Sequence, residues 1–131
     1  MMTSEDEQKA IEEDFSQSWN RVEQFFAMFN GLQNLAFLNS IISLITELRE
    51  RGYDRKLRAG QAMTNFILSR SREHGLQIGQ ARLTFRVMRQ GGMEIQYCEA
   101  NDRVSEFEVE QVKITPEIEA LLARLLAQPI D

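Results

Sequence analysis

The spacing of apolar residues changes once along the chain, and this change limits the folds that the sequence can form. In the first 50 residues, apolar side chains recur every three or four positions, as on one face of an α-helix. From residue 82 onward they alternate with polar residues, which is typical of strands with one buried face. No repeat or Pro/Gly/Ser-rich linker separates the two parts. The sequence therefore predicts a single α+β domain over residues 1–131.

The helical part predicts two long helices joined by a short turn. The first is expected to begin near Ser4, because Ser4 and Glu7 have the spacing of a capping box. It is expected to stop at Asn30 and Gly31, two residues that tolerate left-handed backbone. The second helix is predicted over residues 32–51, and its apolar residues extend beyond a single face. The short link makes the pair an antiparallel hairpin.

Residues 55–74 fit either a third helix or a strand. The alternation around Phe66 and Leu68 is compatible with a strand. A helix would have Asp54 as its N-cap and Gly75 as its C-cap, with an apolar residue directly after the glycine. It would also place cations in its last turns, where they suit the helix dipole. We therefore predict a helix here.

Three strands and one further helix are expected in the rest of the chain. Alternating residues predict strands at 82–87, 93–98 and 106–110, joined by turns with the sequences RQGG and EANDR. Pro116 suits the first turn of the final helix. The predicted fold is thus about three N-terminal helices packed on a small antiparallel three-stranded meander, followed by a C-terminal helix.

The charge of the chain is unevenly distributed. Its net charge is −5, yet residues 51–89 carry nine basic and two acidic side chains. Residues 1–50 and 90–131 each carry three basic and nine acidic side chains. Folding could neutralise the basic segment internally or display it on an acidic body, and sequence alone leaves both alternatives open.

The cellular location is predicted to be the cytoplasm, without membrane association. Cys98 is the only cysteine and cannot form an internal disulfide. The acidic N-terminus lacks the basic and apolar regions of a signal peptide. The most apolar run, residues 35–48, is too short to span a bilayer.

The stretch FILSRSREHGLQ, residues 66–77, contains two arginines and the only histidine of the chain. Guanidinium groups match phosphate and carboxylate oxygens in a bidentate manner. The candidate anion-binding residues are Arg58, Arg70, Arg72 and His74. The alternative is that these cations lie solvated at the C-terminus of a helix. The sequence has no Gly-rich phosphate loop near them, which favours this alternative.

Other kinds of chemistry have weaker support in the sequence. Glu94, Glu106, Glu108 and Glu110 alternate along the predicted strands, and we interpret them as cross-strand partners of arginines, not as metal ligands. Cys98 has no base or orienting group near it in sequence. We therefore predict no enzymatic activity, no metal and no cofactor.

The aromatic residues of the first two helices lead to a functional prediction. They are Phe15, Trp19, Phe25, Phe26, Phe29 and Phe37. Phe25 and Met28 fall beside the main apolar face, and one small sheet is not expected to cover two such helices. We predict a non-enzymatic cytoplasmic interaction or regulatory protein that binds a protein partner or dimerises through its apolar helices.

Two other functional hypotheses remain open at this level. One is an anion- or nucleic-acid-binding protein that uses the basic segment 51–89, although the acidic total charge disfavours nucleic acid. The other is a ligand pocket between helices and sheet. Its polar groups would be Arg70, Arg72, His74 and Tyr97.

Overall fold

The computed structural model describes residues 3–73 and 79–130 of the chain. The α+β class is confirmed, with α-helices packed on an antiparallel sheet of five strands in chain order. The helices are α1 (Ser4–Ala27), α2 (Ile41–Glu50) and α3 (Pro116–Leu126). The strands are β1 (Arg58–Ala62), β2 (Asn65–Ser69), β3 (Arg82–Val87), β4 (Met93–Glu99) and β5 (Asp102–Val109).

Helix α1 begins where the sequence predicts, but its capping residues differ from the predicted pair. Thr3 has extended backbone, as an N-cap requires, whereas Ser4 is already helical. The hydroxyl of Thr3 accepts a hydrogen bond from the N–H of Asp6, and the Asp6 carboxylate accepts one from the N–H of Thr3. The capping box is therefore Thr3 with Asp6, and the predicted pairing of Ser4 with Glu7 is wrong. The helix ends at Ala27, slightly before the predicted stop.

The second helix is shorter than the predicted span of residues 32–51. Asn34 has a φ of +73°, which interrupts helical backbone upstream. A 3-10 turn at Ala36–Ser40 then leads into α2. The buried residues of α2 lie on one face and join the core: Ile41, Leu44, Ile45 and Leu48.

The prediction of a third helix within residues 55–74 is wrong, because the structure has a β-hairpin there. Ala62 pairs with Asn65 across a two-residue turn, and β1 and β2 continue antiparallel from that point. This pairing places Phe66 and Leu68 on the same face of β2, where both side chains are fully buried. Burial of these two side chains in the core outweighs the local preference of the segment for a helix.

The predicted three-stranded meander forms as β3, β4 and β5, but β1 and β2 extend it to five strands. The register places Phe66 opposite Phe85, and Phe85 opposite Ile95, so the large apolar residues of successive strands share one face. Side chains from α1, α2 and α3 pack in the same core cluster as this face. The sheet therefore has one face in the core and two edge strands, β1 and β5.

Helix α3 begins at the residue that the sequence predicts. Thr115 has extended backbone, and its hydroxyl accepts a hydrogen bond from the N–H of Ile118 at 3.3 Å. Pro116 occupies the first turn, where a missing N–H costs nothing. The buried face of α3 contributes four residues to the core: Ile118, Leu121, Leu122 and Leu125.

The turn between β3 and β4 depends on two glycines that are constrained differently. Gly91 and Gly92 have φ values of +99° and +85°. A Cβ at Gly92 would lie 2.6 Å from the backbone oxygen of Val109, whereas one at Gly91 would meet nothing within 4 Å.

We expect Gly91→Ala to lower the free energy of unfolding by about 1 kcal/mol, from backbone strain alone. Gly92→Ala should lower it by about 3 kcal/mol, because the clash adds to that strain. Urea denaturation of both variants measures the difference, and equal losses would contradict it.

Candidate functional site

Helix α1 lies along the edge strand β1, and two adjacent residues of the helix hydrogen-bond to the backbone at the start of the strand. Trp19, which is fully buried, donates through Nε1 to the carbonyl oxygen of Leu57 at 2.9 Å. The Oγ of Ser18 accepts from the N–H of Ala59 at 2.9 Å and donates to the carbonyl oxygen of Phe15 at 2.5 Å. These bonds fix the helix on the strand at one end of β1.

Farther along β1, helix and strand leave a groove between them with a volume of about 400 Å³. We call it the α1–β1 groove. One wall is formed by the α1 residues Ser18, Arg21, Val22 and Phe25. The rest of the lining comes from β1 and β2: Arg58, Ala59, Gly60, Gln61, Ala62, Ile67 and Ser69. The volume lies within the range of sites that hold small ligands or short peptide segments.

The α1–β1 groove contains backbone groups at the open edge of the sheet. Among the described strands, β1 pairs only with β2. The N–H of Ala59 points away from β2, because it donates to Ser18. Alternate residues of a strand point the same way, so the N–H and C=O of Gln61 also point away from β2. Among the described residues, no loop or side chain hydrogen-bonds to these two groups of Gln61.

Arg58 is a buried cation, with only 7% of its surface exposed. Its Nε donates to the carbonyl oxygen of Ser71 at 2.8 Å, and its Nη2 donates to that of Arg72 at 2.6 Å. The nearest carboxylate, that of Asp14, lies 3.6 Å from Nη2, and the guanidinium lies over the ring of Phe15. Burial lowers the pKa of Arg58, and the charge of Asp14 acts in the opposite direction. The group remains charged at physiological pH.

Arg21 lies close enough to Arg58 for the two charges to interact. After burial, the positive charge of Arg21 is a further cause that lowers the pKa of Arg58. Arg21 is exposed and forms no ion pair with any described residue. Nη1 of Arg58 likewise has no hydrogen-bond partner in the described part of the chain. The residues that line the groove include both arginines and no carboxylate, so the groove is positively charged in a protein of net charge −5.

Arg70, another predicted anion-binding residue, lies in a different place. Its Nη1 donates to the carbonyl oxygen of Leu126 in the last turn of α3. Burial lowers its pKa. Arg70 lines a second cleft of about 380 Å³ together with Glu12, Arg55 and Lys56. A cation at the C-terminus of a helix stabilises the exposed carbonyls, which accounts for the position of Nη1. The buried Nε of Arg70 has no hydrogen-bond partner in the described part of the chain.

The side chain of Arg72 lies apart from those of both Arg58 and Arg70. Arg72 is exposed, and its Nη2 lies 3.9 Å from the carboxylate of Glu7. His74 lies outside the described residues, as does the predicted C-cap Gly75. The groove therefore combines Arg58 with Arg21, which sequence analysis did not identify, since Arg21 lies in the acidic N-terminal segment.

Two carboxylates on the polar face of the sheet, those of Glu94 and Glu106, interact with neighbouring strands. Arg86 and Glu94 form the expected cross-strand ion pair at 2.8 Å. The side-chain amide of Gln96 donates to Glu94 at 3.2 Å and to Glu106 at 3.1 Å. Within residues 3–73 and 79–130, no three His, Cys, Asp or Glu side chains are grouped so that they could hold a metal ion.

Tyr97 takes part in a polar cluster that links β4 to α3. Its hydroxyl donates to Glu99 at 2.7 Å. The Nε and Nη2 of Arg124 donate to the two oxygens of the same carboxylate at 2.8 and 2.7 Å. The hydrogen bond from Arg124, followed by that from Tyr97, lowers the pKa of Glu99. Burial, followed by the hydrogen bond to Glu99, raises the pKa of Tyr97. Tyr97 therefore stays protonated and has a structural role.

Large apolar side chains are exposed at the C-terminal end of α1 and in the following loop. Met28, Leu32 and Leu35 are 63%, 47% and 39% exposed. Phe25 and Phe29 are partly buried and pack edge to face, with ring centroids 5.4 Å apart. We call these five residues the apolar rim. Phe25 also lines the α1–β1 groove, so the rim and the groove form one continuous surface.

No family model, curated protein or solved structure matches this chain. Among the helices of the described segments, none has both the length and the apolar content needed to cross a membrane.

The Glu99 cluster predicts a pH-dependent contribution to stability. The folded-state pKa of Glu99 is lowered, so its stabilising effect is fully present above the ordinary glutamate value of 4.5 and is lost as the pH falls through the folded-state pKa. We expect Glu99→Gln to lower the melting temperature at pH 7, with a difference from wild type that shrinks as the pH falls below 4.5. The exposed Glu110→Gln is the control. A constant Glu99→Gln effect from pH 7 to pH 3 would contradict the mechanism.

Proposed function

We propose that this is a non-enzymatic cytoplasmic interaction protein that binds an extended segment of a partner protein in the α1–β1 groove. The observation that carries the proposal is the outward-facing N–H and C=O of Gln61 beside an apolar wall. An extended peptide that adds to a sheet edge supplies hydrogen bonds to such groups, while its alternate side chains enter neighbouring pockets. Val22 and Phe25 provide the apolar contact for those side chains.

The dimensions of the groove also support a peptide segment as the ligand. Strand β1 spans five residues, and a strand advances by about 3.3 Å per residue. The groove can therefore accommodate a segment of only a few residues. Gly60 and Ala62 have almost no side chain, so a second backbone can approach β1 closely at these positions.

The alternative of anion or nucleic-acid binding by residues 51–89 has less support, because many cations of that segment have partners inside the protein. Arg51 pairs with Glu47 and Glu119, Arg70 donates to a backbone carbonyl oxygen, and Arg86 pairs with Glu94. Nucleic-acid affinity depends on several exposed cations that can each displace a counterion from a phosphate. A surface with its cations already paired gains little from that effect.

The apolar rim supports a second candidate function, self-association into a homodimer. Met28, Leu32 and Leu35 are large apolar side chains that are exposed within eight residues of one another. Soluble monomers seldom expose a large apolar patch without a partner that covers it. A second copy could cover the rim while the groove stays accessible. Protein-partner binding and dimerisation are therefore compatible with each other.

Blocking the groove tests the main proposal. A Cβ at Gly60 would meet nothing within 4 Å, so Gly60→Phe should fill the groove without a backbone clash. We expect a random-peptide display library selected on wild type to yield peptides that bind wild type and lose at least about tenfold in affinity for Gly60→Phe. A tenfold loss corresponds to about 1.4 kcal/mol.

The control for this experiment is Glu108→Phe, which adds the same ring to the exposed face of β5 at the opposite edge of the sheet. Peptides should bind this variant as they bind wild type. Amide chemical shifts of Arg21, Gly60 and Gln61 should move on binding. Selected peptides that bind Gly60→Phe as tightly as wild type would refute the proposal.

The dimer is tested by placing charge on the apolar rim. We expect wild type to show a concentration-dependent shift from monomer to dimer in analytical ultracentrifugation. Met28→Glu/Leu32→Glu should stay monomeric, because two carboxylates in an apolar interface lose their hydration. The control Gln24→Glu/Gln33→Glu adds the same charge at exposed positions of the same region and should still dimerise. A wild type that remains monomeric at millimolar concentration would exclude the dimer.

A further inference from the structure

We propose that the segment bound in the α1–β1 groove is the C-terminal end of a partner chain, with its free carboxylate held by Arg21 and Arg58. This inference rests on the proposed function and specifies the partner. The residues before the carboxylate would pair with Gln61 as a short strand antiparallel to β1. The partner is thus recognised by a chain end and not by an internal sequence.

The charge of the groove supports an anionic group at this position. Arg58 is more than nine-tenths buried, yet its two short hydrogen bonds are to neutral carbonyl oxygens. The one carboxylate near it, Asp14, is exposed and lies at 3.6 Å, beyond the distance of a short charge-assisted hydrogen bond. Glu73 contributes a further negative charge at longer range. Nη1 of Arg58 and the whole guanidinium of Arg21 therefore remain for a ligand carboxylate, which such groups bind strongly.

The position of Ser18 explains why a chain end fits better than a continuous strand. A continuous added strand would next bond to the N–H of Ala59, but Ser18 Oγ already occupies that donor at 2.9 Å. The hydrogen bond from the Trp19 indole to the carbonyl oxygen of Leu57 also holds α1 against the chain just before β1. An added strand must therefore stop between Gln61 and this contact. A chain that ends there carries a free carboxylate, and both arginines are among the residues that line the groove.

The distances along β1 define the length and direction of the bound segment. Gln61 and Arg58 are three residues apart, which is about 10 Å in a strand. The added strand stops before the level of Ala59, which is two residues from Gln61, so the terminal residue of the ligand directly follows the residue that pairs with Gln61. Because the carboxylate lies toward Arg58, at the start of β1, the ligand runs antiparallel to the strand. A ligand side chain between the residue paired with Gln61 and the terminal carboxylate lies beside Val22 and Phe25 of the groove, so apolar ligand residues are expected there.

The test uses fluorescein-labelled tetrapeptides built from alanine, valine, isoleucine and leucine, each made with a free C-terminal carboxylate and as the C-terminal amide. Fluorescence anisotropy would measure their binding to the full chain, with sodium octanoate as a competitor that has a carboxylate but no peptide backbone. The variants are Arg21→Gln and Gly60→Phe, with Arg103→Gln on β5 as the charge-matched control. Arg21 is exposed, so its substitution should leave the fold intact, whereas Arg58 is part of the core packing.

We expect free-acid peptides to bind at least about tenfold more tightly than their amides, as loss of a charge-assisted contact implies. Arg21→Gln should remove most of this preference, Arg103→Gln should keep it, and Gly60→Phe should abolish binding of both forms. Equal binding of acids and amides, lost only in Gly60→Phe, would overturn the carboxylate assignment and leave the groove proposal standing. Displacement of the labelled peptide by octanoate as effectively as by the same unlabelled free-acid peptide, or no peptide binding sensitive to Gly60→Phe, would overturn both.

Discussion

The contact between α1 and the start of β1 determines much of the molecule's surface. Trp19 and Ser18 are adjacent on the helix, and they bond to Leu57 and Ala59 on the strand. The indole is fully buried and packs against Phe66 with ring centroids 5.6 Å apart, so the polar contact is anchored in the core. A helix fixed at only one end of a short edge strand covers that end and leaves the other accessible. The groove follows from this geometry.

The same contact explains why a cation is buried beside the groove. Arg58 is the first residue of β1, and α1 covers it, with Phe15 below the guanidinium and Asp14 at its side. Two backbone carbonyls from residues 71 and 72 satisfy part of the group and hold the segment after β2 close to β1. Burying a charge is unfavourable unless hydrogen bonds compensate it. The incomplete compensation of Arg58, together with its place beside Arg21 in the lining of the groove, makes it a candidate for ligand binding.

The sequence predicted the elements whose signals are strong and local. Leu83, Phe85 and Val87 alternate strictly with polar residues, and β3 forms at that position. Pro116 marks the start of α3, and one expected cross-strand pair, Arg86 with Glu94, forms. The groove could not be predicted from the sequence in the same way. Arg21 and Arg58 are 37 positions apart, and only the packing of α1 on β1 brings them together. The spacing of Ser18, Arg21 and Phe25 on one helix face was the one available signal, and it gives no indication of which strand lies opposite.

The missed hairpin and the groove have a common cause in the composition of β1. Its sequence, RAGQA, lacks β-branched and aromatic residues, so local preference does not favour a strand. It forms one because β2 provides a complete antiparallel partner and because α1 bonds to its start. Large side chains at Gly60 and Ala62 would have made the strand recognisable in the sequence, but they would also have filled the space beside Phe25. Gly60 and Ala62 therefore have two effects: they weaken the strand signal in the sequence, and they leave the edge of the sheet open to a second backbone.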